Sequence, residues 1–130
     1  MQNSQAGRRL GFILSTIHAG SALKLWHKVV TRAQAENGAF FVFPGGKLDS
    51  KSSREHLRND IYKLVNSSNL DGLVSWASSI SGSVSVQELE EFHKNFHSIP
   101  FVTIGQKIPG HPCVEFDAYS GMKELVRHFI

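Results

Sequence analysis

Cysteine is almost missing from this 130-residue chain: Cys113 stands alone. No intrachain disulfide can form, so stability must come from a packed core, which suits a reducing compartment. Long hydrophobic runs are missing too. Nothing approaches the roughly 20 apolar residues that span a bilayer, and MQNSQAGRRLGFIL has no apolar run of signal-peptide length behind its basic residues. The expectation is a cytoplasmic protein with no membrane partner. Charge of one sign is not concentrated: the formal net charge is +3, with Lys and Arg spread along the chain. Direct nucleic-acid binding needs a basic face, which this distribution does not offer. Repeats and low-complexity segments are also lacking. What remains, 41% hydrophobic and 19% charged, is the composition of one soluble globular domain large enough to bury a core.

The stretch that organises the rest is Arg9 to Trp26. Leu10, Phe12, Ile13 and Leu14 form a short apolar run suited to a strand buried on both faces. The run breaks into the small polar stretch Ser15 to Ser21 and then into a helix. Residues 1–8 read as a disordered lead-in and residues 9–130 as the folded unit. Ala22, Trp26, Val29, Val30 and Ala33 make one helical stripe, with Gly20 or Ser21 at its start and Asn37-Gly38 at its end. Ala39 to Phe43 is a second strand, halted by Pro44-Gly45-Gly46. Leu57, Ile61, Leu64 and Val65 mark a second helix, and Leu70 to Trp76 a third strand with its approach.

A small-residue loop, Ala77 to Ser85, precedes a third helix on Val86, Leu89, Phe92 and Phe96. Ser85 with Glu88 three residues on predicts a capping box. Ile99-Pro100 opens a fourth strand, Phe101 to Ile104, and Cys113 to Phe116 is a fifth, short one. Met122, Leu125, Val126, Phe129 and Ile130 stripe a last helix. Strands alternating with helices at this spacing demand crossover connections. The predicted fold is α/β: a three-layer, doubly wound, mainly parallel five-stranded sheet of order 2-1-3-4-5, a single Rossmann-like lobe.

Four segments, in register, carry a family resemblance: Leu10-Gly11-Phe12-Ile13-Leu14, Leu70-Asp71-Gly72-Leu73-Val74, Ile99 to Gly105, and Val114 to Met122 leading to Val126-Arg127-His128-Phe129-Ile130. Together they resemble the ligand-binding core shared by the lactose- and galactose-repressor family and the periplasmic sugar-binding proteins, over about residues 9 to 130. Phe43 to Leu48 is closer to the subgroup fused to a diguanylate cyclase or histidine kinase than to members bearing a helix-turn-helix. The resemblance implies a core of two lobes, with this chain as the N-terminal one. The last helical stripe stops without a cap at Ile130, where the first crossover would begin, so the expectation is a truncated sensor lacking its C-terminal lobe and output domain.

In an open parallel sheet, ligands lie beyond the carboxyl ends of the strands. The candidate ligand-binding residues there are Ser15, Thr16 and His18 after the first strand, and Gly45 and Gly46 after the second. Trp76 and Ser78 follow the third strand, Gln106 the fourth, and Asp117 with Tyr119 the fifth. Hydroxyls, an amide, a carboxylate and two aromatics suit a sugar-like or nucleoside-like effector. The same residues are also ordinary loop formers: Gly45-Gly46 serves a tight turn, and Asp117 caps a helix. His93 and His97, four apart, have zinc spacing but no third ligand, and read as a solvated helix face. Cys113 reads as a small buried hydrophobe and Trp26 as core. No metal or cofactor is implied.

The leading expectation is a non-catalytic ligand-sensing lobe of a bacterial signalling or transcription regulator, with a homodimer through the first or second helix. The alternative is a flavodoxin-like electron carrier, with Ser15-Thr16 and Gly20-Ser21 cradling an FMN phosphate. A phosphoreceiver is excluded on chemistry, because Ser15-Thr16 and Ser75-Trp76 stand where its acidic groups would be needed.

Overall fold

Five strands pair in one sheet: β1 (Arg9–Leu14), β2 (Ala39–Pro44), β3 (Gly72–Ser75), β4 (Phe101–Ile104) and β5 (Cys113–Val114). In the computed structural model, which describes residues 7–18 and 20–130, every pairing is parallel and the order is β2-β1-β3-β4-β5. This is the predicted α/β topology. Of the expected lead-in 1–8, only Gly7 and Arg8 lie within the described residues. The helices are α1 (Ser21–Ala35), α2 (Ser53–Asn59), α3 (Ala77–Ile80), α4 (Val86–Lys94) and α5 (Ala118–Phe129).

The pleat divides the core in two. Ile13, Phe43, Leu73 and Phe101 point to one face, where Tyr62, Val65, Ile80, Leu89 and Phe96 cover them. Phe12 and Leu14, with Phe40, Val42 and Val74, point to the other, where Ala22, Leu25 and Trp26 of α1 pack. β1 is therefore sandwiched, as its unbroken apolar run requires, and Phe12, Ile13 and Leu14 have no exposed surface. Gly11 belongs to this packing. A Cβ there would lie 2.6 Å from Leu70 Cδ1 and 3.3 Å from the Phe43 ring.

Three connections follow their local chemistry. Asn37 takes the left-handed conformation (φ 56°) just after α1, as Asn-Gly pairs favour. Ser85 and Glu88 form the capping box reciprocally, and the bond from the Ser85 N–H holds the Glu88 carboxyl below its ordinary range. Removing the cap with Ser85→Ala is expected to lower stability by about 1 kcal/mol, measurable by urea unfolding. At the amino edge, Asp71 accepts from the Arg9 backbone N–H at 2.7 Å and pairs with its guanidinium at 2.9 Å, clasping β1 to β3.

Several expectations need correction. The second helix is not one stripe on Leu57, Ile61, Leu64 and Val65: α2 gives way to a 3-10 turn, Asp60–Leu64, and Leu57 and Leu64 are exposed. The tighter turn rotates the sequence so that Tyr62 faces inward with Val65 and the half-buried Ile61, while Leu64 turns out. Part of the expected Ala77–Ser85 loop is helical, because Ala77 and Ile80 both find the core. The fifth strand is only two residues long, and Cys113 is half-buried rather than fully so. His93 is not on a solvated face. Its side chain is buried, whereas His97 is exposed. Among the described residues, no helix is long and apolar enough to cross a membrane.

Candidate functional site at the carboxyl edge

The loops after β1 and β3 meet where the chain changes its direction of winding, since β1 continues to one side and β3 to the other. The meeting is bonded. The Ser15 N–H donates to Ser79 Oγ at 3.2 Å, and that hydroxyl donates to the Trp76 carbonyl at 3.0 Å. The Trp76 N–H in turn donates to the Ile13 carbonyl at 2.9 Å. From α2, Arg58 Nη2 reaches the Ser15 carbonyl at 3.3 Å. Thr16 Oγ1 accepts from the His18 N–H at 3.2 Å, shaping the first loop, and His18 itself is exposed. α1 then starts at Gly20 in the left-handed region (φ 59°), with no side-chain cap.

The fourth loop joins this group through Ser78. Its hydroxyl accepts from the Trp76 indole N–H at 3.1 Å. Gly105 (φ 76°) lies so close that a Cβ would fall 2.2 Å from Ser78 Oγ, and Gln106, half-buried, follows it. Ser15, Trp76, Ser78 and the Gly105-Gln106 turn thus form one polar rim.

Gly45 and Gly46 sit deeper. Both are buried, and neither has a positive φ. Their need is space: a Cβ on Gly45 would lie 2.3 Å from Tyr62 Cζ, and one on Gly46 would lie 2.9 Å from Glu55 Cβ. Tyr62 Oη stands 2.9 Å from the Gly46 carbonyl and 3.2 Å from the Leu14 carbonyl, and donates to them. Burial pushes its phenol well above the ordinary range, so it stays a donor. Asn59 completes the clamp, accepting from the Gly46 N–H at 2.6 Å and donating to the Lys47 carbonyl at 3.1 Å. Asp49 ties this loop to the next one by accepting from the Ser83 N–H at 2.7 Å and from its hydroxyl, which holds the carboxyl below its ordinary range.

Asp117 and Tyr119 are exposed, beyond β5. The Asp117 carboxylate accepts from the Ser120 N–H at 3.0 Å, the capping role, and this bond lowers its pKa. Comparison with protein-family models, curated proteins and solved structures finds no match. The site therefore rests on its own geometry.

Sequence reasoning missed two groups. Tyr62 was hidden by the expectation of a regular helical stripe that omitted it; a tyrosine 16 residues after Gly46 gives no local sign of the contact. The other group is Ser75 with His93. Nδ1 of His93 is 2.7 Å from the Leu89 carbonyl, which can only accept, so Nδ1 carries the proton. Nε2 then accepts from Ser75 Oγ at 2.9 Å. A serine and histidine so placed have the spacing of a nucleophile and its base. Here, however, Ser75 has no exposed surface, and the pair sits among the rings of Phe92, Phe96 and Phe101. It bonds α4 to β3 inside the core. Among the described residues, no group of three or more His, Cys, Asp or Glu side chains is placed to hold a metal ion.

Proposed function

We propose that this chain is a non-catalytic ligand-sensing lobe of a bacterial signal-transduction or transcription regulator, acting in the cytoplasm. Its effector is a sugar-like or nucleoside-like molecule held between this lobe and a second one. The observation that carries the reading is the polar rim at the change of winding: Ser15 and Ser78 with the Trp76 indole, on the loops after β1 and β3 that are bonded to one another, with the Gly105 turn packed against Ser78. Hydroxyls orient a polyol, and an indole gives a sugar or base ring a face to stack on. The four sequence segments quoted above supply the family expectation of a two-lobe sensor.

The reading has a mechanical consequence. Ligand energy becomes signal only to the extent that the closed two-lobe state binds better than the open one. A single lobe offers half of the contacts. Calorimetry of these 130 residues with a panel of monosaccharides and nucleosides is therefore expected to give weak or undetectable heats. A chain carrying a second lobe is expected to bind a member of the panel, and to lose that binding with Trp76→Ala. Micromolar binding by the 130 residues alone would overturn the two-lobe mechanism. Purified protein with flavin absorbance would overturn the ligand class in favour of an FMN carrier.

A further inference from the structure

One part of the chain is unfinished as a monomer. Every residue from Val114 to Ile130 is exposed. Yet α5 bears Met122, Leu125, Val126 and Phe129 at i, i+3, i+4 and i+7, the spacing of a buried stripe. Phe116 and Tyr119, at 92% and 78% exposure, continue the apolar surface toward β5. A 12-residue helix without tertiary contacts is marginal in water. A cover for this stripe is required.

The same chain carries an uncovered surface of matching character. α1 packs over β1 and β2 and reaches Val74 of β3 on its face of the sheet; among the described residues no other helix joins that cluster, and the β4–β5 side of it stays open. There a groove of about 410 Å³ is walled by Leu25, Trp76, Ile104 and Val114, with Phe116 at its end. The charges at its rim are Lys24, Lys28 and Glu115.

We infer that the occupant of this groove is α5 of a second copy, the two protomers exchanging their last helices about a twofold axis. Three observations support the second copy. The helix is joined to the sheet by only Glu115, Phe116 and Asp117, and the structure holds it away from its own groove; a short connector of this kind favours exchange. Area is the second. The exposed apolar side chains of this segment amount to roughly 800 Å² per copy, about what one partner contributes to a standard stable interface and more than a monomer ordinarily leaves bare. The third is closure, since each copy has one such helix to give and one such groove to fill, so reciprocal exchange pairs both. Charge sets how the helix lies: Lys123 and Arg127 flank one edge of its stripe, so that edge seats toward Glu115 and away from Lys24 and Lys28. Trp76 belongs to both the groove and the polar rim, so the partner's helix abuts the candidate site.

The test uses two substitutions at exposed positions, Leu125→Glu on the helix and Val114→Glu in the groove, with circular dichroism to verify the fold. Sedimentation equilibrium of the unaltered chain is expected to show a dimer. Each variant alone is expected to weaken association by roughly a hundredfold or more, because a carboxylate would enter a dry apolar contact. Mixing the two variants is expected to restore a heterodimer. In it, the intact helix of the Val114→Glu chain fills the intact groove of the Leu125→Glu chain. A monomer at all concentrations, with α5 closing over its own groove, would overturn the inference. So would a dimer that survives both substitutions, or two monomeric variants that do not rescue one another.

Discussion

Acidification through about pH 6.5 is expected to weaken this fold markedly, and His93 is expected to carry the effect. Its ring is buried between α4 and the sheet, with Nδ1 donating to Leu89 and Nε2 accepting from Ser75. Burial lowers the pKa in the folded state, and the nearby His111 lowers it further. The unfolded chain therefore binds a proton at a pH where the folded one does not. Stability is full above the unfolded value of about 6.5 and declines as pH falls from there toward the lower folded value. Protonation would also turn Nε2 from an acceptor into a donor facing a hydroxyl that now donates to it. Urea midpoints at about pH 7.5 and about pH 5 measure the loss. His93→Ala is expected to cost about 3 kcal/mol at neutral pH, and to flatten the dependence across this window. Ser75→Ala is expected to cost about 1–2 kcal/mol while leaving the dependence in place, because the ring still has to charge. An equally steep acid response in His93→Ala would place the effect elsewhere.

Gly45→Ala is expected to be the most disruptive single methyl group that can be added near the site. Its Cβ would stand 2.3 Å from Cζ and 2.5 Å from Oη of Tyr62, which is pinned at its far end to the Leu14 and Gly46 carbonyls. The ring cannot retreat without breaking that bond. A loss of about 2–4 kcal/mol is expected by chemical denaturation. Tyr62→Phe, which removes the hydroxyl alone, should cost about 1–1.5 kcal/mol. Tyr62→Ala should cost about 3–5 kcal/mol through the cavity it leaves. The informative variant is the pair: in a Tyr62→Ala background, Gly45→Ala should add little, because the clash has gone. Strict additivity of the two would rule out direct contact as the reason that glycine stands there.

The sheet was legible in the sequence because β2 and β4 are apolar runs bounded by Gly or Pro, because β1 is an apolar run that breaks into small polar residues at Ser15, and because the intervening stretches are too long for hairpins. Helix α1 was legible for the same reason: its stripe runs unbroken from Ala22 to Ala33 and ends at Asn37. What misled was a stripe with two readings. Leu57, Ile61, Leu64 and Val65 fit a 3.6-residue period, but the chain tightens at Asp60, after which Tyr62 turns inward and Leu64 outward. Periodicity does not report such a change of pitch. The carboxyl-edge loops could be named from topology, and Ser15, Trp76 and Ser78 do lie on bonded loops, with the Gly105 turn against Ser78. That Gly45 and Gly46 lie beneath Tyr62 could not be named, since that contact depends on where α2 lands. His93 is misplaced when it is weighed only with His97, as a zinc pair lacking a third ligand, and not with Leu89, four residues earlier. It shares the buried side of α4 with Leu89, and Glu91 and Lys94 lie outside. The packing of α4 turned their side outward and the imidazole inward.

The position of β1 also affects how the chain is made. Its neighbours are Ala39–Pro44 on one side and Gly72–Ser75 on the other. During synthesis, the most deeply buried strand of the sheet emerges before the other four and gains β2, yet one edge stays open until residues past 75 have left the ribosome. Parallel pairing across such separations is slow, because a long loop must close before any bond rewards it. Through that interval Phe12, Ile13 and Leu14 present a bare strand edge, the surface on which nascent chains aggregate. Yield in a fast-translating host should therefore depend on temperature and on chaperone supply more steeply than the modest size of the domain suggests.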